Sequence, residues 1–269
     1  MLTISSSANP KYKQLLSLLK PRERKKTGLF LVEGIKEIEM AIAGGIKPVQ
    51  IFFSEEIIST ENVLKALNIK SFSDINNVEA ILLTDNLFNN VSYRETTGGI
   101  ILVCKSNEKK LNDLKLSPNP LIIILESVEK PGNLGAIIRT ADAAKADAVI
   151  LCDALTDLYN PNVIRASLGT VFTTQVFTAS SSEAISFLKT NKIKIFATYL
   201  ESAEWYHETD FTVPCAIVMG TESTGISKTW LDIADKNIKI PMLGKIDSMN
   251  VSVAAAVTTF EAKRQRNFK

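Results

Sequence analysis

The feature that most constrains the fold is a fully apolar strand, Leu121–Leu125 (LIIIL), just before the middle of the 269-residue chain. A strand that is apolar on both faces is expected in a parallel sheet that helices cover on both sides. Beyond it, short apolar segments typical of strands alternate with segments of helical periodicity. This alternation predicts an α/β fold with a parallel sheet in the second half of the chain.

The residues before this strand divide into a smaller α/β domain and a linker. Residues 1–104 alternate between strand-like and helix-like segments, which predicts a first compact domain. Residues 105–120 are polar and charged and include two prolines, a composition typical of a domain boundary. The second domain then covers residues 121–269. The strand-like segments of the first domain are Leu29–Val32, Val49–Phe53, Ala80–Leu83 and Gly98–Cys104.

Composition excludes several classes of protein. The net charge is +2, so the chain is not strongly basic, although local charge clusters still matter for binding nucleic acid. No apolar segment approaches the roughly 20 residues of a membrane-spanning helix, and the first residues lack the pattern of a signal peptide. The scattered cysteines are typical of buried thiols in a reducing compartment. The sequence therefore predicts a soluble cytoplasmic protein with no membrane association.

Polar loops follow three of the predicted strands. The strand Leu121–Leu125 is followed by EKPGNLGAIIRTADAA, which contains Asn133 and Arg139. The segment GTESTGIS, with Glu222, follows a strand that ends at Met219, and the loop Leu243–Asn250 follows the last strand, Ile238–Ile240. Ligands bind open parallel sheets at the carboxyl ends of the strands, so these loops are candidate sites.

Each of these loops also has an interpretation without function. Arg139 fits either a solvated helix face or a cleft that holds an anion, and Glu222 fits either an exposed turn or a site. Asn250 or Ser248 fits the N-cap of the last helix as well as a ligand contact. Neither the dinucleotide fingerprint GxGxxG nor a P-loop is present, which disfavours a nucleotide-cofactor oxidoreductase. The single histidine, His207, has no neighbouring histidine or cysteine, which disfavours a metal site or a histidine-based triad.

The segment Lys20–Lys26 (KPRERKK) concentrates positive charge near the start of the chain. Such a segment fits a solvated surface turn. It also fits a patch that contacts RNA phosphates, together with Lys11 and Lys13, because lysine and arginine supply sequence-independent affinity for nucleic acid.

Taken together, these motifs resemble the SpoU/TrmH family of RNA 2′-O-ribose methyltransferases, within the SPOUT superfamily. The similar segments are NLGAIIRTADAA from Asn133, IVMGTESTGIS from Ile217 and IPMLGKIDSMNVSVAAAV from Ile240. The segment FLVEGIKEIEMAI in the first domain is similar to the RNA substrate-binding domain that is often fused to these enzymes. One position differs, because Thr221 stands where the family commonly has asparagine.

The resemblance implies a deep trefoil knot in the second domain, an exception to the rule against knotted chains. It also implies S-adenosyl-L-methionine as cofactor, bound largely through backbone groups, and a homodimer formed through the C-terminal domain and its last helix. The cofactor contacts carried over to this chain are Gly220, Ile240 and Met249, with Thr198, Met242, Leu243 and Ser248 beside them.

The resemblance further implies methyl transfer to a ribose 2′-hydroxyl of RNA. The catalytic residues carried over are Asn133, Arg139, Glu222 and Asn250, supported by Ser248 and Ser252. A guanidinium essentially never deprotonates in proteins, so Arg139 is interpreted as a charge that holds a phosphate and the developing oxyanion, not as a base. We expect 23S ribosomal RNA as the substrate. The alternatives are transfer RNA, or a non-catalytic RNA-binding or ribosome-assembly protein.

Overall fold

The computed structural model describes residues 1–75, 77–92, 98–107, 109–201, 203–221 and 224–268. Its chain forms two compact units. The first unit comprises Met1–Asn107 together with Asp157–Thr173, and the second comprises Glu108–Thr156 and Thr174–Lys269. A segment from the second half of the chain is therefore an integral part of the first unit.

The first unit is built on a five-stranded mixed sheet. Its strand order is β1-β4-β3-β5-β2, and β5 is antiparallel to both of its neighbours, β2 and β3, whereas the other pairs are parallel. The strands are β1 (Leu2–Ile4), β2 (Leu29–Glu33), β3 (Pro48–Phe53), β4 (Glu79–Leu83) and β5 (Ile100–Lys105). The helices are α1 (Pro10–Ser17), α2 (Pro21–Thr27), α3 (Ile35–Ala43), α4 (Thr60–Ala66) and α5 (Asp85–Val91).

The basic segment Lys20–Lys26 is mainly helical and not a turn, and Arg24 within it is buried. The Arg24 Nε donates to the Asp157 carboxylate at 2.6 Å, and its Nη1 donates to the Leu18 and Leu19 carbonyl oxygens at 2.8 and 2.9 Å. Buried guanidinium groups require such partners. Arg24 is therefore not available for RNA phosphates, which corrects the prediction for this one residue of the segment.

The segment Asp157–Thr173 packs closely within the first unit. The Tyr159 ring stacks on Phe30 with ring centroids 4.1 Å apart, and the Phe172 ring lies 5.9 Å from Phe30. A Cβ atom added at Gly44 would lie 2.4 Å from the Phe172 carbonyl oxygen, so helix α3 can end against this segment only with glycine there. The segment contains helix α7 (Pro161–Ala166).

The second unit is built on a seven-stranded sheet whose paired strands are parallel. The strand order is β10-β12-β9-β11-β6-β7-β8. The predicted α/β fold with a parallel sheet is confirmed. The strands are β6 (Leu121–Glu126), β7 (Ala148–Cys152), β8 (Val176–Ala179), β9 (Lys194–Thr198), β10 (Glu204–Trp205), β11 (Cys215–Met219) and β12 (Lys236–Lys239).

The helices of the second unit cover this sheet, and α10 packs against α6. They are α6 (Pro131–Ala143), α8 (Ser181–Thr190), α9 (Lys228–Leu231) and α10 (Val251–Gln265). The central strand β6 is buried over its full length, as its apolar sequence predicts. The last strand starts at Lys236 and not at Ile238, because Lys236 pairs with Phe196 on β9 and Ile240 already lies beyond the pairing.

Membrane-spanning helices and metal-binding clusters are both absent from the described residues. No helix in the described ranges is long and apolar enough to cross a membrane. Within the same ranges, no group of three or more histidine, cysteine, aspartate or glutamate side chains is arranged to hold a metal ion.

Candidate active site

The three predicted loops leave the carboxyl ends of strands that lie close together in the second sheet. Strands β12, β9, β11 and β6 are consecutive neighbours. Helix α6 follows β6, Gly220 follows β11, and the loop that leads to Asn250 follows β12. The parallel direction of these strands brings loops that are distant in sequence to one edge of the sheet.

Two of the predicted catalytic side chains are in contact. The Asn250 Nδ2 donates to the Asn133 Oδ1 at 3.1 Å, which joins the first turn of α6 to the start of α10. Of the two N-caps that the sequence allowed for α10, the structure uses Asn250 and not Ser248. The Asn250 Oδ1 accepts from the Ser252 amide at 2.9 Å and from the Ser252 hydroxyl at 2.6 Å. The cap and the contact with Asn133 use different atoms of one side chain.

The loop after β11 folds back tightly on itself. Thr221 and Gly225 exchange backbone hydrogen bonds of 3.0 and 3.1 Å. A Cβ atom added at Gly220 would lie 2.2 Å from the Gly225 backbone, so only glycine fits there. The Thr221 Oγ1 accepts from the Thr224 amide at 2.9 Å, a local turn of the kind that an asparagine also forms. The predicted catalytic residue Glu222 lies outside the described residues.

Two buried polar residues that the sequence did not indicate hold these loops in place. The Glu126 carboxylate, at the end of β6, accepts from the Ser227 amide at 2.8 Å and so ties the second loop to the first strand. The Thr156 hydroxyl donates to the Val128 carbonyl at 3.0 Å and to the Glu129 carbonyl at 2.5 Å. The position of Glu126 directly after an apolar segment could have indicated its role from the sequence. Nothing in the sequence around Thr156 indicated its role.

A cleft of about 820 Å³ opens at this edge of the sheet. Six of the seven predicted cofactor-binding residues line it, whereas the side chain of the seventh, Leu243, is 97% exposed and does not. The six lining residues are Thr198, Gly220, Ile240, Met242, Ser248 and Met249. The Thr198 hydroxyl is itself engaged, since it donates to the Val218 carbonyl at 2.9 Å.

One helical stripe of the cleft wall was missed in the sequence. Val251, Ala254 and Thr258 line the cleft from α10. Their spacing of three and four residues places them on one helix face, which is the signal that could have identified them. Asn250 lines the same cleft immediately before this stripe.

A second cavity, of about 230 Å³, lies beside the cleft and shares part of its wall. Gly220, Thr221 and Val251 line both spaces. The smaller cavity is otherwise lined by Val128, Glu129, Lys130 and Asn133. The Asn133–Asn250 hydrogen bond therefore joins a residue of the smaller cavity to a residue of the larger cleft.

The predicted catalytic residue Arg139 lies elsewhere on α6. It is exposed and lines neither cavity. It lies six positions after Asn133, which is about 9 Å along a helix axis. The exposed position agrees with the solvated interpretation of this residue and leaves its charge accessible to a large polyanion.

The loops of this site fall within a known protein family. The model of the SpoU rRNA Methylase family matches residues 120–260, which include every loop described above. The chain belongs to the SpoU rRNA methylase family. The family predicted from the sequence motifs is thereby confirmed. A second model, described as an MRM3-like substrate binding domain, matches residues 9–102.

Relatives of this SpoU family chain include enzymes named for ribosomal and for transfer RNA. The 23S rRNA (guanosine(2553)-2′-O)-methyltransferase RlmP of Bacillus subtilis is 29% identical over 268 residues, which cover 98% of this chain and 100% of the relative. The tRNA (guanosine(18)-2′-O)-methyltransferase of Thermus thermophilus is 41% identical over 149 residues, which cover 54% of this chain and 75% of the relative.

Solved structures of the SpoU type match the chain over almost its whole length. A structure described as an RNA 2′-O ribose methyltransferase is 36% identical, with a TM-score of 0.84, and covers 99% of this chain and 100% of its own. An AdoMet-bound rRNA methyltransferase from Sinorhizobium meliloti is 25% identical, with a TM-score of 0.88, and the match covers 97% of both chains.

Proposed function

We propose that this chain transfers a methyl group from S-adenosyl-L-methionine to a ribose 2′-hydroxyl of RNA. The observation that carries the proposal is the pair of adjoining cavities, which share Gly220, Thr221 and Val251 as a common wall. The larger cleft takes the cofactor and the smaller cavity takes the acceptor ribose. Two substrates held side by side need no covalent enzyme intermediate, only correct relative position.

The residues of the larger cleft fit this cofactor. Its volume of about 820 Å³ lies in the range of small-molecule sites, roughly 300–1,000 Å³. Ile240, Met242 and Met249 offer apolar surface for a flat base, while Ser248 and Asp247 offer polar groups. Gly220 brings backbone close to the ligand without a side chain. S-adenosyl-L-methionine supplies an activated methyl group when it is bound.

The chain's own residues then position the acceptor and stabilise its charge. Asn133 orients the ribose from the smaller cavity and is itself held by Asn250. The methyl group would leave the sulfonium sulfur as the 2′-oxygen bonds to it, which would give S-adenosylhomocysteine, and the hydroxyl proton would pass to water. We assign Glu222 as the group that accepts a hydrogen bond from this hydroxyl. The positive charge of Arg139 holds an RNA phosphate near the developing negative charge.

Ribosomal RNA is the proposed substrate, with 23S rRNA first. A relative that matches this chain over 98% of its length, RlmP, is named for 23S rRNA. The similarity to the tRNA enzyme of Thermus thermophilus is confined to 54% of this chain. Residues 1–104 are proposed to bind RNA, residues 105–120 to act as a linker, and residues 121–269 to carry the reaction.

A homodimer through the C-terminal domain is part of the same proposal. Helix α10 leaves Val253 and Phe260 on its surface, with 51% and 41% of these side chains exposed. They lie seven residues apart on one helix face, which is suited to burial against a second copy. Sedimentation velocity with Phe260→Glu tests this, and a variant that sediments like wild type contradicts it. The trefoil knot and the cytoplasmic location stay predictions.

The catalytic assignment is tested with Arg139→Ala in a methyl-transfer assay on 23S rRNA transcripts. We expect turnover to fall by at least about a hundredfold, the order of loss for a group that stabilises transition-state charge, with S-adenosylhomocysteine binding retained. Lys189→Ala, an exposed cation at the end of α8, is the control and should behave like wild type. Equal loss of binding and turnover in Arg139→Ala would overturn the assignment. A wild-type chain that methylates no RNA would favour a non-catalytic RNA-binding protein.

A further inference from the structure

The sheet of the first unit separates positive from negative charge along its strands. Strands β2, β3 and β4 begin at one edge of the sheet, and the antiparallel strand β5 ends there. We call this the starting edge and the other end of the same strands the far edge. The charged residues that flank the strands are distributed unequally between these two edges.

Two lysines from distant parts of the sequence meet at the starting edge. Pro48 of β3 pairs with Cys104 of β5. Lys47, directly before β3, and Lys105, the last residue of β5, are therefore the next residues outward from this pair. Both lysines are exposed. Like charges opposite each other in a sheet are unfavourable. A polyanion bound beside the two lysines would reduce the repulsion between them.

The last turn of helix α2 adds charge to the same edge. The Gly28 carbonyl, just after α2, accepts from the Ser106 amide at 2.8 Å and from the Ser106 hydroxyl at 3.0 Å. This contact brings the end of α2 next to Lys105. Lys25 and Lys26 are exposed in that last turn.

Negative charge at the starting edge is limited, whereas four carboxylates lie beside Lys36 at the far edge. Glu79, which begins β4, is engaged by the Lys11 ammonium, and this contact lowers the pKa of the carboxyl. At the far edge, Glu33 ends β2 and Glu55 and Glu56 follow β3. Asp85 follows β4 there as well. Phosphates would be attracted to the first edge and repelled from the second.

We propose that RNA binds the first unit at its starting edge, with phosphates held by Lys26, Lys47 and Lys105. That RNA is the partner rests on the proposed function. The new element is the face of the first unit to which the RNA binds. Positive side chains near a helix C-terminus are also favoured by the helix dipole, which accounts for Lys25 and Lys26 alone. It does not account for Lys47, which directly precedes β3, or for Lys105, which ends β5.

The test compares Lys47→Glu/Lys105→Glu with Lys36→Glu in the full-length chain. Lys36 is an exposed lysine in the first turn of α3 at the far edge, so Lys36→Glu makes the same charge change as each single substitution of the double variant, but at a different place. Binding of a labelled 23S rRNA transcript is measured at several KCl concentrations, with S-adenosylhomocysteine binding and thermal unfolding as checks. Each phosphate that the protein no longer neutralises reduces the slope of log K against log salt by about 0.7–0.9.

We expect the double variant to bind at least tenfold more weakly at low salt, with a slope smaller by about 1.4–1.8. Lys36→Glu should keep the wild-type slope. If the double variant unfolds at a lower temperature, Lys47→Gln/Lys105→Gln is used, and the same reduction of the slope is expected. A wild-type slope in these variants, or an equal reduction in Lys36→Glu, overturns the inference. A wild type that binds through this edge but methylates no RNA would refute the proposed function and leave this inference standing.

Discussion

Asn250 has two roles that depend on different atoms of its side chain, so a substitution can remove one role and keep the other. Its Oδ1 caps helix α10 through Ser252, and its Nδ2 reaches Asn133 across the site. A serine at this position can still cap the helix, because serine is as favourable an N-cap as asparagine. Its shorter side chain cannot reach Asn133.

Asn250→Ser should therefore separate stability from catalysis. We expect unfolding close to that of wild type and methyl transfer reduced roughly 10- to 100-fold, the cost of a small misplacement at the reacting groups. Asn250→Ala should lose the same activity and, in addition, about 1 kcal/mol of stability with the cap. Thermal unfolding and single-turnover methyl transfer measure the two effects. An active Asn250→Ser variant would show that the contact with Asn133 is not needed.

Single residues also show how far the sequence predicts the site. The local pattern narrows the N-cap of α10 to Asn250 or Ser248, because an N-cap depends on a few neighbouring residues. It does not indicate that Arg24 is buried, since its partner Asp157 lies 133 residues away. The Leu243 side chain faces solvent, which the local pattern does not indicate either. A loop lacks the periodic pattern that shows which apolar residues of a helix or strand are buried.

At the scale of elements, helix α10 is fastened at its end by two side chains. The buried Arg266 donates from its Nε to the Phe211 carbonyl at 2.7 Å, and from Nη1 and Nη2 to the Asn119 and Val213 carbonyls at 2.8 and 2.6 Å. Gln265 accepts from the Phe211 amide at 2.9 Å. The helix that carries the Asn250 end of the site is thus held at its other end by backbone carbonyls.

Arg266→Ala should weaken this attachment more than the replacement of an exposed arginine of the helix. Four carbonyl groups would lose the hydrogen bond from Arg266, including that of Pro120 at 3.3 Å. We expect a loss of roughly 3 kcal/mol in the free energy of unfolding. Arg264→Ala is the matched control, because the Arg264 side chain is 63% exposed and pairs with Glu261 on the same helix. Its loss should stay below about 1 kcal/mol. Urea unfolding of both variants decides between them, and equal stability would refute the role of Arg266.

Elements with a strong local signal were predictable and the others were not. Strand β6 is buried throughout because its residues are apolar at nearly every position, and helix α6 starts at Pro131 as proline at the first helical position favours. Strand β10 has two residues, and only its pairing with β12 makes it a strand. Helix α2 contains no apolar periodicity, so its charged sequence indicated a surface turn.

At the scale of the whole molecule, the first unit includes residues that the sequence order assigns to the second half. Asp157–Thr173 supplies the carboxylate for Arg24 and the aromatic rings that pack on Phe30. Composition and periodicity locate a linker along the chain, but they cannot show that a later segment returns to an earlier unit. Such a return depends on long-range packing, which no local pattern encodes.

Each unit contains buried thiols that report on its opening. Burial raises the pKa of Cys104 in the first unit, of Cys152 to about 12 and of Cys215 to about 11 in the second. A thiol with a raised pKa stays protonated and unreactive in the folded state at pH 8. Its unfolded form releases the proton at lower pH, so alkaline conditions favour unfolding.

Asp157→Ala should open the first unit without opening the second. The buried Arg24 would lose its carboxylate, a change that costs about 3 kcal/mol when a buried ion pair is broken. We expect Cys104 to react faster with a thiol reagent at pH 8, while Cys152 and Cys215 react at the wild-type rate, as followed by mass spectrometry of peptides. Glu79→Ala, which removes the half-exposed partner of Lys11, is the control and should leave all three rates near wild type, because such pairs contribute little. Equal acceleration of all three thiols would mean that the two units unfold as one, and that the Arg24–Asp157 pair stabilises the whole chain.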